Sequence, residues 1–492
     1  MNNIVPFKIN HKIFLLLFFY LFCFKANAQT PPSLKGFLEK PILQGASVAF
    51  MAKEVKSGKI LYSYDAEREL TPASVMKTVT TAVALEVLGE NFQFETSILY
   101  DGKIENGILN GNLYIRGSGD PTLNSSELKT KKDSIIEQWA SAVKKAGIQK
   151  ITGRVIADES IFDTEGVSMK WMREDLGSDY GQGSYGVNVF DNLYTLYLKT
   201  EAAGTKPSIL YSEPAMPLLS FHNYLQTLAA SRDSIYVTGF PYTNDRYLYG
   251  TLRAYRSDAK IVGDIPEPAL YLAQYFTNYL FINKDIRTEK DASCYRILSQ
   301  SNQWKMIEQK KLITTYSPPL KEIVRIINFS SHNLYADALI KTLGLRYQTN
   351  PKENLSSFEK GARVIKSHLD KNGINTSSLW IYDGSGLAIT NKVTADFLCD
   401  LYLYMAKSTV SESFIQSLPQ PGIDGTVRNM LKGTFLQGKS RLKSGSMSRV
   451  ICYGGYIKKD GKEYAVTLLV NNFSGKNNQM RAAVEQLFLS LF

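Results

Sequence analysis

The chain has 492 residues, 44% of them hydrophobic, with 57 Lys and Arg against 46 Asp and Glu for a net charge of +11. Its length exceeds one usual domain and its apolar content supports sizeable cores, so two or three domains are expected. The basic charge is spread rather than clustered, which argues against nucleic-acid binding; the sparse cysteines imply no disulfide framework, and His11, His222, His332 and His368 lie scattered without metal-ligand spacing.

In chain order, Lys8 and Lys12 precede the apolar run from Ile13 to Phe24, and Ala26 and Ala28 stand at A-x-A spacing. That pattern is a secretory signal peptide over 1–28, cleaved after Ala28, and Cys23, preceded by bulky Phe22, goes with it. The remaining chain keeps a charge of +8, the precursor's +11 less Lys8, Lys12 and Lys25. An exported basic protein suits an anionic surface such as a cell-wall polymer or membrane headgroups, and its charge is compatible with peripheral association with either.

From Ser47, "SVAFMAKEV", "KSGK" and "ILYSYDAE" read as a strand, a glycine turn and a second strand. "TPASVMKTVT" then enters a helix from about Ser74 to Leu88, with Val75, Val79, Ala82, Val83 and Val87 giving an apolar side and Gly89 a stop signal. Residues three apart share a helix face, so Ser74 Oγ and Lys77 Nζ can meet. A serine hydroxyl is inert until a neighbouring base takes its proton, and a lysine serves as that base when burial and other positive charges lower its pKa. Taken alone, the pair is equally an ordinary helix entry.

Residues 95–300 carry short strands such as "GNLYIRG" and "ITGRVIADES" and the stretch "WMREDLGSDYGQGSYGVNVFDN", rich in glycine, tyrosine and acids. Downstream, "NFSSHNLYADALIKTLG" holds Ser331-x-Asn333 at the start of an apolar helical pattern, and "SRLKSGSMSRVICYGG" holds Lys443-Ser444-Gly445 on a strand. Cys399 and Cys452 sit in apolar runs as core residues. A hairpin turns at Lys459-Asp460-Gly461, and an amphipathic helix, "NNQMRAAVEQLFLSLF", closes the chain. Strands of similar character at both ends point to a single sheet built from both termini, with a helical part between them.

The order Ser-x-x-Lys, Ser-x-Asn, Lys-Thr/Ser-Gly is that of penicillin-binding proteins and related β-lactamases. With "PASVMK", "GSGDPTL" from Gly117, "YDGSGL" from Tyr382 and "PGIDGTV" from Pro421, essentially the whole mature chain resembles the D-alanyl-D-alanine carboxypeptidase/endopeptidase family, the class C low-molecular-mass penicillin-binding proteins. Lys77 and Ser331 are 254 positions apart, whereas the minimal serine acyl-transferase fold spaces these motifs by several tens of residues, and a long insertion there is the family's distinguishing trait. The resemblance implies an α/β (α+β) architecture: a serine β-lactamase/penicillin-binding transpeptidase-like domain at 29–94 and 301–492, with a large β-rich insertion at 95–300.

It also implies roles. Ser74 attacks the carbonyl of a D-Ala-D-Ala bond with Lys77 as base, Ser331 passes the proton toward the leaving D-alanine, and Asn333 holds Lys77 and the substrate amide. Lys443 keeps the cleft positive and lowers the pKa of Lys77. Ser444 binds the substrate's terminal carboxylate, the backbone N–H groups of Ser74 and Ser446 form an oxyanion hole, and Gly445 lets the strand approach the substrate, with Met447 and Leu387 beside it. Trp171, Asp175 and Tyr180 edge the cleft against the substrate stem. The implied partners are peptidoglycan stem peptides, with β-lactams as covalent inhibitors, in a periplasmic or extracytoplasmic location and with neither metal nor cofactor.

Several positions depart from the family pattern. His332 stands where Asp is commoner and reads chiefly as an exposed helix-start residue, with a proton-relay role as the alternative. Ala388 and Ile389 follow Leu387 where the family often has Ser-Arg, so a contact to a carboxylate on the stem's third residue is missing. Asp383 and Asp424 sit in "YDGSG" and "IDGT", where Asp shapes loops, rather than forming a glycosidase pair. A β-lactamase and a catalytically weak wall-binding relative are the rival functions; no E-x-x-L-N, the water-positioning motif of one β-lactamase class, lies between the second and third motifs.

Overall fold

The computed structural model describes residues 30–492 apart from 130–132, 306 and 349–352, so the signal peptide expected at 1–28 lies outside the described residues. Strands β1 (Ser47–Glu54) and β2 (Ile60–Tyr64) join β3 (Ser440–Met447), β4 (Val450–Lys459) and β5 (Lys462–Asn471) in one antiparallel sheet of order β3-β4-β5-β1-β2. Both termini therefore build the same sheet, as the sequence led us to expect. β1 is buried on both faces, which is why it reads as a nearly unbroken apolar run: Ala49 and Met51 enter one core while Val48, Phe50 and Ala52 enter another. The β4–β5 turn places Asp460 and Gly461 at positive φ (49° and 74°), the backbone twist that a tight hairpin requires.

One face of the sheet is covered by the helix Pro32–Leu38 and the C-terminal helix Asn477–Leu491, which pack Phe37, Leu487 and Phe488 on Phe50 and Leu468. The other face carries the helical layer: α1 (Met76–Leu88), α2 (Leu320–Ser330), α3 (Asn333–Gly344), α4 (Ser357–Lys371) and α5 (Ala395–Met405). α1 runs through the middle of this layer, and every residue from Met76 to Leu85 is buried. The apolar side expected from Val79, Val83 and Val87 is thus one part of a helix enclosed all round. Its threonines remain buried because their hydroxyls find acceptors: Thr78 donates to the Val75 carbonyl, Thr80 to the Gly384 carbonyl at 2.8 Å, and Thr81 to the Lys77 carbonyl at 2.7 Å. The helix also starts later than expected, because Ser74 lies in a tight 3-10 turn, Ala73–Val75, that precedes it.

Between α1 and α2 the chain builds four further sheets around its own core, in which Trp139 packs edge-on against Phe276 with ring centroids 5.9 Å apart. The five-stranded sheet of this region ends on Lys310–Tyr316, paired antiparallel with Glu95–Tyr100. The excursion therefore closes past residue 300, where the sequence placed its end, because a short polar strand such as this carries little apolar signal of its own. Lys341 of α3 ties the two parts together. Fully buried, its Nζ donates to the Glu165 and Ser184 carbonyls at 2.7 and 2.9 Å and lies over the rings of Phe162 and Phe358. Cys294, Cys399 and Cys452 are buried and free. No helix among the described residues is long and apolar enough to cross a membrane.

Phe488, fully buried against Tyr453 and Phe492, anchors the terminal helix to the sheet. Phe488→Ala should cost about 3 kcal/mol of unfolding free energy in urea titration, as large-to-small changes in closed cores do. A loss of less than about 1 kcal/mol would show that this face can repack or opens independently of the rest.

Candidate active site

The tight turn at Ala73–Val75 places Ser74 at the entrance of α1, and Lys77, fully buried, reaches back from its first turn. Lys77 Nζ lies 3.1 Å from Ser74 Oγ, 2.6 Å from Asn333 Oδ1 and 2.7 Å from the Ser385 carbonyl oxygen. The orientation of the Asn333 amide is set from both ends, because its Nδ2 donates to the Tyr180 carbonyl at 2.7 Å. Two of the three neighbours of Nζ can only accept. A neutral amine therefore keeps its two hydrogens on Asn333 and Ser385 and turns its lone pair toward Ser74 Oγ, whose hydroxyl can donate. That is the arrangement of a base beside its nucleophile.

Burial is the chief cause that lowers the Lys77 pKa, to about 8, against the charges of Asp337 and Asp383, which favour the ammonium. Lys443 is the other cation of this cluster. Lys443, also fully buried, is itself pushed well below its ordinary pKa, first by burial and then by the Lys77 charge. Its Nζ donates to Ser331 Oγ at 2.9 Å and to the Ser444 carbonyl at 2.7 Å. Ser331 closes α2 at a φ of 63°, a left-handed conformation that costs energy for a residue other than glycine and turns the chain sharply into α3.

β3 is an edge strand, and on its outer side the Leu442 N–H is taken by the Pro419 carbonyl at 2.9 Å and the Ser444 carbonyl by Lys443 Nζ. It lies close against the nucleophile turn: a Cβ at Gly445 would come within 2.6 Å of the Pro72 carbonyl oxygen and 3.0 Å of the Ser74 nitrogen. Ser444 Oγ is 2.7 Å from Thr426 Oγ1, which brings the "PGIDGTV" segment to the same end. The cleft in front of Ser74, about 720 Å³, is lined by Ser331, Asn333, Ser446, Met447 and Leu387, and on the insertion side by Asp175 and Tyr180. Trp171 is not on this lining. It is buried beneath the "YDGSGL" loop, with Nε1 donating to Asp383 Oδ2 at 2.8 Å, because its indole finds a carboxylate there rather than solvent.

His332 is not exposed either. Its side chain is 9% accessible, with Nε2 3.6 Å from Asp191 Oδ1 and the ring tilted on Tyr335, since the insertion closes over this helix start. Asp383 acts as the loop-shaper expected, taking the N–H groups of Gly386 at 2.7 Å and Ala388 at 2.6 Å and the Asn391 amide at 2.8 Å. Asp424 likewise takes the Gln420 N–H at 2.6 Å.

Three contributors were not singled out in the sequence. Buried Asp337 accepts from the Gly384 and Ser385 nitrogens at 2.8 and 3.0 Å, orienting the peptide whose carbonyl holds Lys77. Ser385 reaches Lys77 through its backbone carbonyl, and Thr426 sits in a glycine turn. Asp337 alone was discoverable, as an acid one helical turn beyond Asn333 in an otherwise apolar pattern.

The profile of the D-Ala-D-Ala carboxypeptidase 3 (S13) family matches residues 32–489. The chain belongs to that family. It is a serine peptidase of the D-Ala-D-Ala carboxypeptidase class. Among curated relatives, the D-alanyl-D-alanine carboxypeptidase of Actinomadura sp. (strain R39) is 28% identical over 90% of this chain and 81% of its own length. D-alanyl-D-alanine carboxypeptidase DacB of Haemophilus influenzae is 27% identical over 89% and 88%. Penicillin-binding protein 4 (dacB) of Haemophilus influenzae shares the fold with a TM-score of 0.78 at 24% identity, covering 94% of this chain and 98% of that one. The same protein complexed with a β-lactam gives 0.74 at 21% identity, over 93% and 98%. The S13 membership and this likeness bear out the expected α/β penicillin-binding fold.

In this S13 enzyme Lys77 can act as base only when neutral, above its pKa. Labelling of Ser74 by a fluorescent penicillin should therefore rise with pH through a midpoint at about 8, and at pH 6 the neutral fraction falls to roughly one hundredth. A pH-independent labelling rate between about pH 6 and 9 would contradict Lys77 as the base.

Proposed function

We propose that the protein is an exported serine D-Ala-D-Ala carboxypeptidase/endopeptidase that acts on peptidoglycan stem peptides through an acyl-enzyme on Ser74 and is blocked by β-lactams. The observation that carries this reading is the triple contact of Lys77 Nζ with Ser74 Oγ, Asn333 Oδ1 and the Ser385 carbonyl. Ser74 Oγ loses its proton to Lys77 as it bonds to the carbonyl carbon of the D-Ala-D-Ala amide. The backbone N–H groups of Ser74 and Ser446 take the developing oxyanion, and such donors contribute a few kcal/mol to the transition state. Ser331, hydrogen-bonded to Lys443, relays to the leaving amine the proton that Lys77 took, and the C–N bond breaks. D-alanine departs, or a cross-linked diamino acid in the endopeptidase reaction. Water then cleaves the ester and restores Ser74.

Binding of the substrate's terminal carboxylate falls to Ser444 with Thr426, and contacts to the stem fall to Asp175, Tyr180, Leu387 and Met447. The Haemophilus protein solved with a β-lactam supports the inhibitor assignment. The "KANAQT" junction after an apolar run supports export through a cleaved signal peptide to the periplasm, and the basic mature chain supports contact with the anionic wall.

Intact-mass spectrometry after incubation with penicillin should show one adduct, mapped to Ser74 and absent in Ser74→Ala. Lys77→Ala should slow its formation by about three orders of magnitude, because base and nucleophile act as a unit, and Lys443→Ala should slow it more than Lys459→Ala does. Equal labelling of Ser74→Ala, or near-wild-type rates in both Lys77→Ala and Lys443→Ala, would overturn the assignment. Product analysis on muropeptides then reads released D-alanine against cleaved cross-links.

A further inference from the structure

The insertion has a second concave site, apart from the cleft in front of Ser74. Its cavity, about 880 Å³, is larger than that cleft and shares no lining residue with it. One wall is a face of the helix Pro268–Lys284, where Tyr271, Gln274, Tyr275, Asn278, Tyr279 and Ile282 follow one another at helical spacing and so fall on one stripe. The opposite side of the helix, with Leu272, Phe276 and Leu280, is fully buried in the core of the insertion. This helix is therefore packed on one side only, and it presents rings alternating with carboxamides to the cavity on the other.

The tyrosines are fixed. Tyr275 Oη donates to Asp133 Oδ2 and Tyr279 Oη to Glu137 Oε2, each at 2.8 Å, and Tyr271 Oη donates to the Ala215 carbonyl at 3.2 Å. Asp133 is itself held by Asn124 Nδ2 at 3.0 Å, and Phe190 packs edge-on against Tyr275 with ring centroids 5.2 Å apart. Gln274, half-buried, and Asn278, exposed, are different: among the described residues neither carboxamide has a hydrogen-bond partner, so both are free to serve a ligand. The lining also restricts what that ligand is. Among the described residues it carries two carboxylates, Asp133 and Asp291, and no Lys, Arg or His, which disfavours a phosphate or an acidic peptide. An aliphatic partner helix would cover Gln274, Asn278 and Asp133 without pairing them, and burying unpaired polar groups is costly. A neutral sugar chain meets both demands. Its C–H faces pack on tyrosine rings, its acetamido methyls suit Pro217 and Leu218 across the cavity, and its hydroxyls donate to carboxylates and exchange hydrogen bonds with carboxamides.

We propose that this cavity binds a neutral, N-acetylated sugar chain, with Gln274 and Asn278 hydrogen-bonding its polar groups and Tyr271, Tyr275 and Tyr279 forming the wall on which its rings pack. The site stands on its own lining, and its volume is that of small-ligand sites in general. Only the identification of the sugar with the glycan of the wall rests on the reading of the protein as a peptidoglycan enzyme.

The test is isothermal titration calorimetry of the full chain with tetra-N-acetylchitotetraose, a neutral N-acetylated tetrasaccharide, alongside tetralysine and tetra-aspartate peptides. Wild type should bind the tetrasaccharide saturably at millimolar concentration or below, and more tightly than either peptide. Protein first acylated at Ser74 with penicillin should bind it equally well, because the cavity and the cleft are separate. Gln274→Ala combined with Asn278→Ala should weaken binding about tenfold through the loss of two hydrogen bonds, whereas Gln226→Ala, an exposed carboxamide elsewhere in the insertion, should leave it unchanged. The double variant removes no internal contact of either carboxamide, and an unchanged rate of penicillin labelling at Ser74 shows that it is folded. No saturable binding by wild type, tighter binding of either peptide, loss of binding on acylation, or a double variant that binds as wild type does would each overturn the proposal. Failure of wild type to form a penicillin adduct would instead overturn the acyl-enzyme reading, while the titration on unacylated protein still decides the sugar site.

Discussion

Everything at this site depends on placing an amine in a fully dry position and giving it two acceptors that are not the nucleophile. A lysine in water stays protonated far above neutral pH and cannot take a proton from serine. Around Lys77 the helix is enclosed on every side, and desolvation outweighs the attraction of the nearby acids and lowers its pKa to about 8. The Asn333 amide and the Ser385 carbonyl then fix which direction the lone pair faces. A more open helix would leave Lys77 charged, and loss of either acceptor would leave the lone pair free to turn away from Ser74.

The acceptors are themselves held by a buried network. Asp337 grips the Gly384–Ser385 peptide from α3, Asp383 grips the following turn, and Thr80 bonds the Gly384 carbonyl from α1. Asp337 is pushed well above its ordinary pKa, first by burial and next by the Asp383 charge, with Lys77 opposing. A Cβ at Gly386 would lie 2.0 Å from the Ala73 carbonyl oxygen, and its φ of 81° excludes ordinary side chains, so the loop can pass this close to the nucleophile turn only with glycine there.

The excursion between α1 and α2 contributes to the site as a wall. It supplies Asp175 and Tyr180 to the cleft, a backbone carbonyl to Asn333, an indole to Asp383 and a carboxylate to His332. Lys341 locks the same helix that carries Asn333 and Asp337 to the carbonyls of Glu165 and Ser184. Burial, the largest influence on it, lowers its pKa to about 8, so its charge is costly to keep and is sustained by the Asp163 carboxylate 3.9 Å away, two carbonyls and two aromatic faces.

Short-range features were legible in the sequence. The Ser74–Lys77 pair, the Ser331-x-Asn333 helix start, the strand bearing Lys443 and the terminal hairpin all follow from local spacing and turn chemistry, and their order along the chain carries the family resemblance. Periodicity was less informative where an element is buried on every side, as for α1, because no polar face remains to give the pattern contrast. Loop-borne contacts were invisible for a different reason. The Ser385 carbonyl beside Lys77, the seat of Trp171 under Asp383 and the burial of His332 against Asp191 depend on which segments meet across more than a hundred residues. The sequence by itself determined which groups could do chemistry and which elements would carry them. Only the tertiary structure decided which of those groups are dry, which face the cleft and which merely support it, because desolvation and hydrogen-bond direction belong to the packed surroundings and not to the residue.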